Sequence, residues 1–127
     1  MSDLNTKHNR VVWFDLPVVD LDRSIEFYSG VLAIKVGRES FDGFEFAVFE
    51  HDEGNGGCLV PDAGTVCEKG ALIYLNVDGR IRDAVVKVPT LGGTVKQDVH
   101  AIGPHGYRAI VHDSEGNRVA LHSQSDA

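Results

Sequence analysis

The second half of this 127-residue chain repeats the apolar plan of its first half. A shift of 59 residues, the distance from Leu16 to Leu75, also lays Val18 on Val77, Leu32 on Leu91 and Val36 on Val95. That register survives across a strand and a helix, so the chain reads as two copies of one supersecondary unit. In the first copy, Val11 to Val18 has the strand period of two, with Val12, Phe14, Leu16 and Val18 on one face. Asp20 is placed to cap a helix whose apolar residues Leu21, Ile25, Tyr28 and Leu32 follow helical spacing, and Ser29-Gly30 offers a stop. Three short strands follow: Ile34 to Gly37, Phe44 to Phe49 after the hairpin signal Asp42-Gly43, and Cys58 to Val60 after a glycine-rich turn. That turn lacks the ending of a phosphate-binding loop and lies between strands, so it reads as a plain turn.

The second copy runs from the strand Leu72 to Val77 into a helix carrying Ile81, Ala84, Val85 and Val88, which Pro89 shortens or kinks before Gly92-Gly93. Strands follow from Thr94, over Tyr107 to His112 and over Arg118 to His122, with the turn formers Asp113 to Asn117 between the last two. The expectation is one α+β domain of two paired βαβββ modules, at about 10–62 and 70–124, whose mixed sheets form a cupped, barrel-like surface. A ferredoxin-like βαββαβ sandwich shares much of this pattern, and the extra strand in each half separates the two.

Composition closes off several classes. A hydrophobic content of 43% with 24% charged residues is globular, and the net charge of -7 argues against nucleic acid or an anionic membrane as the main partner while leaving room for local basic patches. The first ten residues are polar and no apolar run approaches bilayer length, so a cytoplasmic protein with no membrane partner is expected. Cys58 and Cys67 lack Cys-x-x-Cys spacing and read as reduced thiols. His8, His51, His100, His105 and His112 read as loop or surface residues, with His100 and His105 flanking a Gly-Pro loop before Tyr107.

Chemistry is expected on the faces opposite the helices. Parity collects there Trp13, Asp15, Leu72, Tyr74, Asn76, Arg118, Ala120 and His122, a mixture of aromatic walls and a few polar groups typical of small-molecule pockets. Exposed antiparallel sheets would also show polar alternation, but Trp13 and Tyr74 weigh against that reading. Asp15, Tyr74 and His122 form the polar constellation expected to converge in one cavity. An aspartate and a histidine suffice for proton abstraction, and a tyrosine hydroxyl can stabilise an oxyanion. Trp13, Leu72, Asn76, Arg118 and Ala120 are the expected ligand-binding walls.

The run Trp13 to Tyr28, the strand Ala71 to Val77, and Gly106 through Asp113-Ser-Glu-Gly-Asn to Ser123 together resemble the vicinal oxygen chelate superfamily. That superfamily includes glyoxalase I, extradiol dioxygenases and bleomycin-resistance proteins, and the resemblance is closest to its branch related to lactoylglutathione lyase. It covers about residues 10 to 124 and implies paired βαβββ modules, a small-molecule ligand in the sheet cup and a homodimer. It also implies either a lyase- or isomerase-type enzyme or a drug- or metabolite-binding resistance protein without catalysis. In metal-dependent relatives three ligand places correspond to Trp13, Leu72 and Ala120, none of which can ligate a divalent metal. No cofactor is therefore expected, and zinc, nickel, iron or manganese is not expected at that place. Asp15 with His122 as a displaced metal site would offer only two ligands.

Overall fold

A computed structural model describes residues 11–127. The stretch read as a polar lead-in, with His8, lies outside the described residues. The order is β1 (Asp15–Val18), α1 (Leu21–Leu32), β2 (Val36–Phe41), β3 (Phe44–Phe49), β4 (Cys58–Pro61), β5 (Ile73–Asn76), α2 (Ile81–Thr90), β6 (Thr94–Ala101), β7 (Tyr107–His112) and β8 (Arg118–Ser123). Each half is therefore a βαβββ module. The first makes a sheet in the order β1-β4-β3-β2 and the second repeats it as β5-β8-β7-β6.

In both sheets the first strand pairs in parallel with the last, Asp15 opposite Cys58 and Tyr74 opposite Ala120, while the remaining pairs are antiparallel. β1 and β5 each end a sheet, and no ladder joins them among the described residues, so the two sheets do not close into a barrel. The expected first strand is shorter than its apolar pattern, since Val11 to Phe14 lie outside the ladder. Its partner β4 begins only at Cys58, after the glycine turn, and the pairing starts with Cys58 N donating to Phe14 O.

Asp20 caps α1 as expected, its carboxylate accepting from Arg23 N at 3.0 Å. The stop is elsewhere. Gly30 lies inside the helix, where an added Cβ would come within 2.4 Å of Leu91 Cδ1, so its missing side chain lets the two modules approach. The helix ends at Ala33, which adopts the left-handed conformation at φ 55°. At the β2–β3 hairpin Asp42 and Gly43 both have positive φ, the conformation of a type I′ turn. Pro89 falls in the last turn of α2, where the helix was ending in any case.

One core serves both modules. Leu16, Val18, Phe27, Tyr28, Val31 and Leu59 from the first half meet Leu75, Ile81, Val88, Val111 and Leu121 from the second in a single buried cluster. Parity holds in β1 and β5, where Leu16 and Leu75 are buried while Asp15 and Tyr74 are exposed. Ala120 departs from it and is fully buried, because its strand is internal and its register neighbours Tyr74 and Ile110 flank a small side chain.

The turn between β7 and β8 clasps the first module. Glu115 accepts from the Val19 and Asp20 amides at 2.9 and 2.7 Å and from Arg23 Nε at 2.8 Å. Asn117 Nδ2 donates to Pro17 O at 2.6 Å, and buried Tyr28 donates its hydroxyl to Asp113 at 2.6 Å. Burial and the Asp113 carboxylate push the Tyr28 phenol well above its ordinary range, so the ring donates a proton it does not give up.

Candidate functional site

The helix-free faces of the two sheets differ in chemistry. On the first sheet, Phe41, Phe44, Phe46 and Val60 line a cavity of about 450 Å³ with Asp15, Asp42 and Cys58. Period-two spacing on β3 brings Phe44 and Phe46 to this face, where their rings stack with centroids 6.2 Å apart. The cavity is open, with Phe41 76% exposed on the hairpin. Asp15 sits in its wall and accepts from the Cys58 thiol at 3.1 Å. Burial first, and the Asp15 carboxylate second, push that thiol up to about 11, which makes Cys58 a proton-bearing partner and not a nucleophile.

On the second sheet the polar groups are basic or aromatic. The Tyr74 ring lies edge-on to His122 with centroids 6.3 Å apart, and its hydroxyl accepts from Arg108 Nη1 at 2.6 Å. Arg108 Nε donates to His100 Nε2 at 3.0 Å, while His100 Nδ1 faces the carbonyl of Asp98, which fixes the neutral tautomer with its proton on Nδ1. His122 Nε2 donates to His105 O at 2.7 Å, leaving Nδ1 as the nitrogen turned to other partners.

Of the three residues expected to converge, Tyr74 and His122 are brought together. Asp15 belongs to the other sheet and lines two cavities, neither of which Tyr74 or His122 lines. The second of these, about 160 Å³, lies where the edge of β1 meets Asn117 and Arg118. Arg118 donates from Nη2 to Gly70 O at 2.9 Å, and its buried Nε has no partner among the described residues. Trp13 is half-buried and stands edge-on to His51 at 5.7 Å. Asn76 turns its side-chain oxygen onto the Asp78 amide at 2.8 Å, and half-buried Leu72 precedes β5.

Sequence reading missed Arg108 and the three phenylalanines. Arg108 has no mark in the sequence beyond its place on the Tyr107 to His112 strand, while Phe41, Phe44 and Phe46 astride a two-residue hairpin carry a signal for an apolar wall. His100 is a strand residue and not part of a loop, because β6 extends to Ala101.

No family model matches the sequence, and no curated protein matches it. Solved structures do. A hypothetical protein from S. aureus is 22% identical, with 91% of this chain covering 94% of that one at a TM-score of 0.71. A glyoxalase/bleomycin resistance protein from Albidiferax ferrireducens T118 is 15% identical, covering 91% and 98% at a TM-score of 0.72. The genomically encoded fosfomycin resistance protein FosX from Listeria monocytogenes is 13% identical, covering 91% and 93% at 0.68, and it has also been crystallised with manganese(II).

The chain has the vicinal oxygen chelate fold. Metal-using proteins share that fold, so the donor set here is the test of fit. The places that the sequence resemblance makes metal-ligand positions carry an indole, an isobutyl and a methyl group, at Trp13, Leu72 and Ala120, and such side chains are not donors for a divalent ion. Among the described residues no three His, Cys, Asp or Glu side chains gather as a ligand group. What this version of the fold presents is an acidic, phenylalanine-lined wall on one sheet and a basic, imidazole-rich wall on the other.

Proposed function

We propose that the chain binds a small organic molecule on the phenylalanine-lined wall of the first sheet, without a divalent metal at the family's usual place. The observation that carries this reading is the cavity of about 450 Å³ that Phe41, Phe44 and Phe46 line together with Asp15 and Asp42. Apolar walls with a few fixed polar groups are the common form of small-molecule sites, and two carboxylates beside aromatic faces favour a ligand with an apolar body and a positive group. The unpaired Cys58 and Cys67 support a reducing, cytoplasmic setting, and the exposed Phe41 and Phe44 support the homodimer that the fold resemblance implies.

A catalytic reading, as a metal-independent relative of lactoylglutathione lyase, has one observation in its favour. Arg108 places positive charge against the Tyr74 hydroxyl beside His122, where an oxyanion would be stabilised.

Titration calorimetry with phenethylamine as the probe separates these readings. Phe46→Ala is expected to weaken binding about tenfold, and Asp15→Asn to weaken it by several-fold with loss of its salt dependence. Undiminished binding in both variants would reject the site. If turnover of a substrate is found, a base at Asp15 requires that Asp15→Asn remove turnover far more than binding.

A further inference from the structure

The register of the second sheet sets its basic side chains in a row. His100 stands opposite Arg108 between β6 and β7, and Arg108 stands opposite His122 between β7 and β8. Residues directly opposite on neighbouring strands share a face, so these three cross the sheet side by side, away from the buried Ala109 and Val111. Tyr74 joins them from β5 through the bond its hydroxyl accepts from Arg108 Nη1 at 2.6 Å. Such a row repels itself whenever its imidazoles take up protons, so folding alone does not favour it.

The charge at the centre of the row has no acid beside it. Among the described residues Arg23, Arg38, Arg80 and Arg82 each pair with a carboxylate, whereas Arg108 pairs with none. Carboxylates are not scarce in a chain with 19 acidic residues to 12 basic ones. Asp98, two residues from His100 on β6, turns its side chain onto the Val99 amide at 2.7 Å. The half-buried Arg108 guanidinium is held instead by two neutral acceptors, the Tyr74 hydroxyl and His100 Nε2. Those two bonds fix its plane and leave three of the five N–H donors of a guanidinium without a partner among the described residues. The Tyr74 hydroxyl, having accepted from Arg108, keeps its own proton to give, and at 47% exposure the residue is within reach of a ligand.

We propose that Arg108 and Tyr74 form a binding site for the oxyanion group, carboxylate or phosphoryl, of a small organic acid. The guanidinium supplies the charge and a fork of donors, Tyr74 adds a further donor, and His100 and His122 flank them. Unlike the oxyanion of the catalytic reading, this one is carried by the ligand before any reaction. The site shares no residue with the phenylalanine-lined wall and does not rest on the amine-binding reading of that wall.

NMR titration with phenylacetate, phenyl phosphate and the neutral phenylacetamide, resolved at amides and imidazoles, tests this. The two acids are expected to shift the signals of His100, Arg108 and His122 saturably, and the tighter of them names the group. Phenylacetamide is expected to bind at least about tenfold more weakly than phenylacetate. Arg108→Gln is expected to lower the affinity of both acids about tenfold or more. Tyr74→Phe, which removes one hydroxyl from an exposed ring, is expected to weaken them several-fold and carries the test if Arg108→Gln does not fold. Phenethylamine reads the first site separately, so its failure to bind while the acids still do tells against that site alone. The proposal is overturned by equal affinity for phenylacetamide, by inorganic phosphate bound as tightly as phenyl phosphate, or by shifts that are absent or confined to residues 41–46 and 58–60. Undiminished affinity in Arg108→Gln, or in Tyr74→Phe where that variant carries the test, overturns it as well.

Discussion

Glu115 keeps its charge in a place its side chain shares with no solvent. Burial alone would raise its carboxyl, but the Arg23 guanidinium, the Asp20 and Val19 amides and the Ser114 hydroxyl outweigh that cost and hold it at about 2, against an ordinary value of 4.5. Because the folded value lies below the unfolded one, the stabilisation is complete above about pH 4.5 and is lost as pH falls from there towards 2. Glu115→Gln is expected to flatten that acid limb of stability and to cost about 2 kcal/mol at neutral pH, read from urea unfolding at a series of pH values. From the sequence, Asp113 to Asn117 reads as a turn between two strands, since its residues are turn formers. What the types do not show is that Asp113, Glu115 and Asn117 are buried, because partners that help satisfy them, such as the Val19 amide and the Pro17 carbonyl, lie about a hundred residues away in the chain.

The strands and helices were legible to the extent that their own residues decide them. The Asp42-Gly43 hairpin, the Asp20 cap and both βαβββ orders follow from local patterns. The apolar stripe of α1 was read off centre: Ser24, Phe27 and Val31 are sealed along with Tyr28 and Leu32, whereas Leu21 and Ile25 are only half-buried. The helix packs against α2 as well as a sheet, and the second contact turns it from the position its strongest apolar spacing suggests. Ser24 fits that interior because its hydroxyl donates to Leu21 O at 2.8 Å. The two helices also differ at their starts, since Arg80 at the head of α2 provides no side-chain cap. Asp20→Ala is therefore expected to cost about 1 kcal/mol and to lower the urea midpoint with an unchanged slope, which equilibrium unfolding followed by circular dichroism would show.

At the scale of the whole molecule, the duplication was the most legible feature, and the joint between its copies the least. Parity places Asp15, Tyr74 and His122 away from the helix layer, but parity acts within one sheet and says nothing of where another sheet lies. With β1 and β5 both at sheet edges and no ladder between them, Asp15 stays with Cys58 and the phenylalanines while Tyr74 and His122 share the basic wall. The contacts that hold the joint are side-chain bonds such as Val19 to Glu115 and Pro17 to Asn117, spanning 96 and 100 positions of sequence. Such contacts have a kinetic meaning. Closing loops of that length is entropically expensive, so they form after each half has gathered its local structure, on the native side of the rate-limiting barrier. Glu115→Ala is then expected to speed unfolding in stopped-flow experiments while leaving the refolding rate nearly unchanged, and a variant that slowed refolding by the full loss in stability would mean that the halves meet early. The clasp, on this account, sets how long a molecule stays folded more than how fast it becomes so.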